Sequence, residues 1–196
     1  MKTSPCDIAG QGYCAIHPGF FRLFLILLLL GPVNLRAAPE IVIDTGNASL
    51  SVLQDGKLLL QLEQIAIGRF GATAAKQRGD GKTPVGKYKI GWIKRDSAFR
   101  QFIGINYPAP ADAKRGLKQN LIDKQTHDQI MAAHRQDQVP PQNTKLGGFL
   151  GIHALGQADL AVHRRYNWTR GCVATTNEQM DELLPWIEIG MPVEIR

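Results

Sequence analysis

Cys172 is the first residue that could do chemistry, and it lies in the segment WTRGCVATTNEQ, Trp168 to Gln179. A thiol attacks as a thiolate, so a nucleophilic cysteine needs neighbours that favour its ionised form. Arg170 places a cation close by, and Gly171 allows a sharp turn and the close approach of a substrate. A helix predicted soon afterwards adds partial positive charge. The pattern predicts a nucleophile with a lowered pKa; the alternative is a small buried apolar residue.

The backbone of the same segment offers a way to stabilise negative charge. Oxyanion holes are built from N–H groups that converge on one point, and they usually make the largest single contribution to this kind of catalysis. The successive amides of Arg170, Gly171 and Cys172 are suited to that role. We therefore expect these three N–H groups to form an oxyanion hole.

The base that a nucleophilic thiol requires has to be chosen among the histidines. His127 and His134 lie in a polar, helix-forming stretch and are predicted to be surface residues. His153 lies in GFLGIHALG, where a strand would hold its ring rigidly, and it is the preferred base. His163, in a polar loop nearer the cysteine, is the alternative. Because an acidic third member does not stand out nearby, we expect the carbonyl of Ala154 to orient the His153 ring.

The N-terminal segment has the layout of a secretory signal. FFRLFLILLLL, Phe20 to Leu30, is followed by Gly-Pro and then by small residues before a polar start. This apolar run is about half of the roughly 20 residues needed to span a bilayer. A cleaved signal is therefore favoured over a permanent signal anchor. The predicted organisation is a signal peptide at 1–37 and one catalytic domain at 38–196, in an exported, periplasmic protein.

Removal of the predicted signal peptide would change the number of cysteines and the net charge of the chain. Cys6 and Cys14 precede the predicted cleavage site, so Cys172 is the lone thiol of the mature chain. A lone thiol in an exported protein indicates a reactive group or an intermolecular pair, and a redox role would lack a resolving cysteine. The signal removes three basic residues and one acidic residue, so the formal net charge falls from +6 to +4, which still suits anionic partners. Basic runs with interleaved aromatic residues are absent from the sequence, so nucleic acid is not expected as a partner.

One glycine-rich segment looks like a cofactor site and is rejected. GDGKT ends like a phosphate-binding loop, but the position that requires the first glycine is Lys76. Pro84 would also stop the helix whose N-terminus holds the phosphate. Clusters with metal-ligand spacing are not found in the sequence either, so neither a metal nor another cofactor is expected.

The pattern of elements indicates a mainly-β sandwich or barrel with a helical insertion and one C-terminal helix. Apolar and polar residues alternate on both sides of Asp55-Gly56, the strongest short hairpin signal. Asp123 and Thr176 are predicted to begin helices as N-caps. The predicted strands are 40–44, 48–53, 58–67, 87–93, 102–107, part of 147–156, and 192–195; the predicted helical segments lie within 108–141 and over 177–184.

Three segments together resemble the L,D-transpeptidase catalytic domain, the YkuD-like family. GIHALG and TRGCVATTNEQMDELLPWIEIGMPVEI, with fifteen residues between His153 and Thr169, are similar to its signature of a histidine, a spacer and Ser/Thr-His-Gly-Cys. GDGKTPVGKYKI and INYPAPADAKRG are similar to upstream segments of compact, single-domain members. The resemblance runs from Ile41 to Arg196, and it implies the β-sandwich or barrel-like catalytic fold of that family.

The resemblance also implies roles for individual residues. Cys172 would be the nucleophile, His153 the general base, the Ala154 carbonyl the group that orients it, and the backbone at 170–172 the oxyanion hole. Substrate contacts would come from Tyr107, Trp168, Thr169 and Arg170. The basic balance adds Lys82 and Lys145 as candidates, although solvated surface charges are the favoured interpretation of these two. Two positions depart from the family pattern. Arg170 replaces a second histidine, and Ala174 replaces a common arginine or asparagine.

The implied reaction is acyl transfer on peptidoglycan stem peptides. A thioester on the cysteine, formed as terminal D-Ala leaves, would pass to a diaminopimelate amine as a 3-3 cross-link or to a lysine of a wall-anchored protein. Water as acceptor would make the protein a thiol hydrolase, which is the first alternative. A wall-binding module without activity is the alternative from another class. The sequence leaves the acceptor and the oligomeric state open.

Overall fold

The computed structural model describes residues 37–196. Its strands are β1 Glu40–Asp44, β2 Ser49–Gln54, β3 Lys57–Glu63, β4 Ala72–Thr73, β5 Thr83–Pro84, β6 Gly86–Ser97, β7 Arg100–Ile105, β8 Gly151–Ala154, β9 Val173–Thr175 and β10 Pro192–Ile195. Its helices are α1 Pro110–Lys118, α2 Lys124–Arg135, α3 Leu160–Arg165 and α4 Asn177–Leu183, with a 3-10 turn at Leu184–Trp186.

A mixed eight-stranded sheet forms most of the structure, in the order β3-β2-β1-β10-β6-β7-β8-β9. The last strand of the chain, β10, lies between β1, which runs parallel to it, and β6, which runs antiparallel. The predicted hairpin between β2 and β3 is confirmed, with positive φ angles at Asp55 and Gly56. A two-residue type I′ turn requires a positive φ at both of its central residues.

The sheet curls because the segment after β3 returns to its far edge. The strand predicted over 58–67 ends at Glu63, and Gln64 has a positive φ that turns the chain. Ala66 then exchanges two backbone hydrogen bonds with Ala174 of β9, at 2.9 and 2.7 Å. This bridge gives the sheet its barrel-like closure, so the predicted mainly-β fold is confirmed.

The helices follow local signals where the sequence provides them. Asp123 caps α2 by accepting the amide of Thr126, and Thr176 caps α4 by accepting the amide of Gln179, as predicted. The helix α3 was not predicted, because its six residues are too short to show a helical period. Asp159 caps this helix by accepting the amides of Ala161 and Val162.

The apolar core lies between the inner face of the sheet and the helices. Its largest fully buried side chains include Ile41, Ile43, Leu50, Ile90, Ile103, Ile152, Met180 and Leu183. These come from alternate positions of the central strands and from one side of α4, as the periods of strand and helix require. The predicted signal peptide lies outside the described residues. Over residues 37–196, the helices are all too short or too polar to cross a membrane.

Candidate active site

Two neighbouring parallel strands carry the candidate pair. In the β8–β9 ladder Ile152 lies opposite Val173 and His153 lies opposite Ala174. Since side chains alternate between the two faces of a strand, Ile152 and Val173 point into the core and His153 points the other way. Cys172 comes just before β9 begins, two positions before Ala174, so continued alternation would place it on the same face as the imidazole. The two residues are therefore diagonal neighbours across the ladder.

His153 has a fixed tautomer. Its Nδ1 lies 2.8 Å from the carbonyl oxygen of Ala154, the contact expected from the sequence. Because a carbonyl only accepts, Nδ1 carries the hydrogen and Nε2 keeps a lone pair that can take a proton. Burial lowers the pKa of His153, and its hydrogen bond with Ala154 opposes that shift. The ring is therefore neutral, and suited to act as a base, at neutral pH and below.

Aromatic side chains enclose the imidazole. The Phe99 ring lies 4.2 Å from it, centroid to centroid, and the Trp168 ring meets it edge to face at 5.8 Å. Phe102, opposite His153 on the neighbouring strand β7, stacks at 6.4 Å. Only 3% of the His153 surface is exposed. These contacts hold the ring in place and also cover it from solvent.

The thiol of Cys172 is not primed for attack in this conformation. Its Sγ lies 3.7 Å from the carbonyl oxygen of Phe149, to which it donates. Burial raises the pKa of Cys172 to about 11, with the Gly151 amide and the charge of Lys76 acting in the opposite direction. The predicted lowering of this pKa by Arg170 is wrong, because the Arg170 side chain is exposed to solvent.

The thiol and the imidazole do not hydrogen-bond each other here. We expected them within hydrogen-bonding reach, but the partner of Sγ is the Phe149 carbonyl. Phe149, whose carbonyl is the partner of the sulfur, has a positive φ. Along the ladder, His153 and Ala174 form one pair, and Cys172 lies two residues before Ala174. Catalytic hydrogen bonds of ligand-free sites are often long and tighten only on binding. The arrangement is that of a site at rest.

The amide of Gly171 is not available for an oxyanion, which corrects one prediction. It donates to Oγ1 of Thr169 at 3.1 Å, and the same hydroxyl donates to the carbonyl of Cys172 at 2.6 Å. Gly171 has φ +128°, and a Cβ there would lie 2.6 Å from the carbonyl of Lys82, so only glycine fits. The amides of Arg170 and Cys172 are the remaining candidates for the hole.

The predicted substrate contacts divide into two groups. Arg170 lies on the surface beside the cysteine and can reach a ligand. Thr169 is buried and uses its hydroxyl within the loop. Trp168 is half-buried, between the imidazoles of His153 and His163. Tyr107 is 0% exposed, and its hydroxyl donates to the carbonyl of Leu146 at 2.8 Å, so its placement as a substrate contact is wrong.

The other predicted basic residues line cavities other than the groove that contains the thiol. His163 is not in a polar loop but on α3, buried, where its Nδ1 accepts the indole N–H of Trp168 at 3.3 Å. It lines a separate cavity with Glu63 and Arg164, so it does not reach the cysteine as a base. Lys82 and Lys145 also line other cavities. We therefore do not assign these three residues a direct part in catalysis or in substrate binding.

The two histidines of the helical insertion are less exposed than expected. His134 is half-buried, and its Nε2 lies 2.8 Å from the carbonyl oxygen of Pro108. His127 is also half-buried, with its Nδ1 2.9 Å from a carboxylate oxygen of Asp128. Both are partly exposed, near the surface as predicted, and each has a contact within or beside the helical insertion.

A basic groove opens beside the thiol. It has a volume of about 570 Å³, and its charged lining is entirely cationic: Arg69, Lys76, Arg78 and Arg170. Arg78 is held by a hydrogen bond to the side chain of Asn143, and Arg69 lies over the ring of Phe70 at 5.3 Å. Guanidinium groups are well matched to carboxylates, which they can bind with two parallel hydrogen bonds. The groove is suited to an anionic ligand.

Sequence reasoning missed most of this groove. Arg69, Lys76 and Arg78 lie in RFGATAAKQRGDGKTP, a glycine-rich segment that reaches the cysteine only through the folded chain. The signal that was available is the number of basic residues in a loop directly before Thr83-Pro84. Among residues 37–196, the His, Cys, Asp and Glu side chains do not group into a metal site.

The burial of Tyr107 leads to a prediction about stability. Tyr107→Phe removes the hydroxyl that donates to Leu146, so the buried carbonyl loses its partner. We expect the free energy of unfolding to fall by about 1–3 kcal/mol, measured by urea denaturation. Tyr166→Phe, at an exposed position, is the matched control and should leave it unchanged. If Tyr107→Phe raises KM and leaves the free energy of unfolding unchanged, Tyr107 is a substrate contact after all.

Comparison with solved structures supports the fold. The Campylobacter jejuni helical cell shape determining protein Pgp2, as its K307A mutant, matches with a TM-score of 0.56 and 19% identity over 82% of this chain and 48% of that one. Bdellovibrio bacteriovorus Bd1075 matches with a TM-score of 0.54 and 19% identity over 82% and 48%. The chain thus spans about half the length of these relatives.

Comparison with protein families is more specific. No curated protein sequence matches the chain. The family model YkuD, described as the L,D-transpeptidase catalytic domain, matches residues 38–195. This range contains every strand and helix given above, together with the Cys172–His153 face of the sheet. The chain therefore belongs to the YkuD family of L,D-transpeptidase catalytic domains.

Proposed function

We propose that this protein is a cysteine L,D-transpeptidase that acts on peptidoglycan stem peptides. One observation supports the proposal: Cys172 lines a cationic groove, and the neighbouring strand β8 carries an imidazole whose Nε2 keeps a lone pair for a proton. Membership of the family supports the same reaction. An exported, periplasmic location at the cell wall is part of this proposal.

The first half-reaction forms a thioester. The thiol passes its proton to Nε2 of His153, and the thiolate attacks the carbonyl carbon at the L-centre of the third stem residue. The amides of Arg170 and Cys172 stabilise the oxyanion that forms. The carbon–nitrogen bond then breaks, His153 returns the proton to the departing amine, and D-Ala leaves. A thioester on Cys172 remains.

The second half-reaction transfers the acyl group. An acceptor amine gives a proton to His153 as its nitrogen attacks the thioester carbon, and the sulfur leaves and is reprotonated. The product is an amide and the thiol is restored. Nothing in these steps requires a metal or an organic cofactor. With a diaminopimelate amine the product is a 3-3 cross-link; with a protein lysine it is a protein anchored to the wall.

Two movements must precede the chemistry. The thiol has to exchange the Phe149 carbonyl for Nε2 of His153, a rotation about the Cα–Cβ bond of the cysteine. Phe99 has to give access to the ring, from which it is now 4.2 Å away. Phe99 lies in the turn between β6 and β7, where loop motions are common. A bound stem peptide would favour both changes if it binds the open arrangement more tightly.

The groove supports a donor with free carboxylates. Stem peptides carry several, including that of the terminal D-Ala, and the guanidinium groups of Arg69, Arg78 and Arg170 line the groove beside the thiol. Carboxylate binding there would hold the scissile carbonyl near Sγ and reduce the entropic cost of attack. We propose these arginines as donor-binding residues. A role in cell shape, the property named for Pgp2, is a further part of the proposal.

Incubation of the protein with a disaccharide-tetrapeptide tests the function, with products identified by mass spectrometry. We expect release of D-Ala and cross-linked dimers at the third residue. Tripeptide monomers without dimers would replace the transpeptidase by a thiol hydrolase. If D-Ala is not released and a carbapenem adds no mass to the protein, a wall-binding module without activity is the better description. A tetrapeptide with an amidated D-Ala is the control, and we expect it to react more slowly.

A further inference from the structure

Lys76 is a buried lysine in the wall of the groove, and the reaction above gives it no step. The residue is 2% exposed. Lysine is almost never fully buried unless its charge is paired. Its Nζ forms an ion pair with Asp80 and donates to the carbonyl of Gln77 at 3.1 Å. The structure therefore keeps an ammonium group inside the protein at this point.

The ammonium lies beside the residue that precedes the nucleophile. Its Nζ is 3.2 Å from the position that a Cβ on Gly171 would occupy. Lys76 and Cys172 line the same groove. An ammonium has three N–H donors, and two are directed to Asp80 and Gln77. The third remains for the side of the groove that contains Gly171.

The surrounding contacts fix the lysine from two directions. The Asp80 carboxylate accepts the amides of Gln77 and Lys82, at 2.8 and 2.9 Å, and so closes the loop that carries the lysine. From α1, Arg115 donates to the backbone carbonyl of Lys76 at 3.0 Å. The helical insertion thus holds this loop against the cysteine segment, which explains how a residue so far away in sequence reaches the site.

We propose that the Lys76 ammonium is the cation that stabilises the Cys172 thiolate, with Asp80 as its counter-ion. The proposal rests on the proposed function, in which this thiol is the nucleophile. An opposite charge close by favours the ionised form of a group, and burial alone disfavours it. The thiol proton goes to His153, and Lys76 keeps its own protons throughout.

The other charged groups around the sulfur are less suited than Lys76 to stabilise the Cys172 thiolate. Arg69, Arg78 and Arg170 line the groove but are exposed, so solvent and salt screen their charges. His153 is neutral at rest, because burial lowers its pKa. A buried charge acts through a lower effective dielectric and is screened less. Lys76 is the buried cation in this set.

The rate at which iodoacetamide alkylates Cys172, followed against pH by mass spectrometry of the Cys172 peptide, tests the proposal without any substrate. Lys76→Met should slow alkylation at pH 8 by about tenfold, the effect of a thiolate fraction lowered by one pKa unit. Lys76→Arg should stay within about twofold of wild type, since it keeps the charge. Lys89→Met breaks the exposed pair with Asp137 and is the matched control.

Asp80→Asn separates an electrostatic role from a structural one. It removes the negative charge next to Lys76, so alkylation should be as fast as in the wild type or faster. If the pair only holds the loop, Asp80→Asn and Lys76→Met will slow alkylation alike, and the proposal is wrong. It is also wrong if Lys76→Met reacts at the wild-type rate. Should Lys76→Met fail to fold, judged by circular dichroism, the Asp80→Asn result decides.

The proposed function can fail independently of this inference. Alkylation that depends on Lys76, together with an absence of D-Ala release from the tetrapeptide, would keep the electrostatic role and remove the transpeptidase. Release of D-Ala, together with alkylation that does not depend on Lys76, would keep the transpeptidase and remove the electrostatic role of Lys76.

Discussion

Cys172→Ser should reduce kcat for D-Ala release by up to about 10⁶-fold, the scale of loss found when the nucleophile of a catalytic triad is removed. A serine hydroxyl is a much weaker nucleophile unless its base is already in place. Here the partner of the side chain is the Phe149 carbonyl rather than the imidazole. The loss should appear both in the release of D-Ala and in the mass shift with a carbapenem.

The fold of this variant should be unchanged, which makes the loss interpretable. Cys172 is partly exposed and differs from serine by one atom, so we expect a change in the free energy of unfolding within about 0.5 kcal/mol. Thermal and urea denaturation measure it. Wild-type turnover in Cys172→Ser would remove the covalent mechanism and leave the wall-binding module as the explanation.

The second large effect concerns His153. His153→Ala should lower kcat/KM by about 10²- to 10⁴-fold, the usual contribution of a positioned general base. From the sequence we expected this change to leave the fold intact. The structure shows a buried ring packed against Phe99 and Trp168, so the alanine variant also loses packing. His153→Phe keeps an aromatic ring there without a base, and it is the better test.

The pH dependence identifies the base. His153 must be neutral to accept the proton, and burial lowers its pKa below the ordinary 6.5. Activity should therefore persist below pH 6.5 and fall only as the pH drops through this lowered value. His153→Phe should abolish that acid limb, and His163→Ala should leave it in place. If instead His163→Ala removes the limb, the base is His163 and the assignment of His153 is wrong.

The sequence predicts best where the signal is local. Strand β1 and strand β10 have the predicted bounds, because short alternating runs sit between clear turns. The N-caps Asp123 and Thr176 are found as predicted, since each cap and the amide that donates to it lie within three residues. Helix α3 was missed because two turns of helix contain too few residues to show a period.

For the candidate site, the sequence predicted some residues correctly and missed others. The spacing of His153 and Cys172 is a family motif, and parallel strands bring the two onto one face. The buried Tyr107 and a ligand-binding tyrosine look the same in sequence, because residue type does not reveal burial. Lys76 appeared only as a residue that spoils a phosphate loop. Its place beside Gly171 depends on long-range contacts, which local patterns do not encode.

The bridge between Ala66 and Ala174 limits how a peptide can bind. Strand β9 has β8 on one side and this segment on the other, so both of its hydrogen-bonding edges are occupied. A ligand cannot join the nucleophile's strand by β-augmentation, the mode that uses an open sheet edge. Stem peptides alternate L- and D-centres and would fit a regular ladder poorly. If stem peptides are the substrate, as proposed, we therefore expect side chains of the groove to contribute more to their recognition than a backbone ladder.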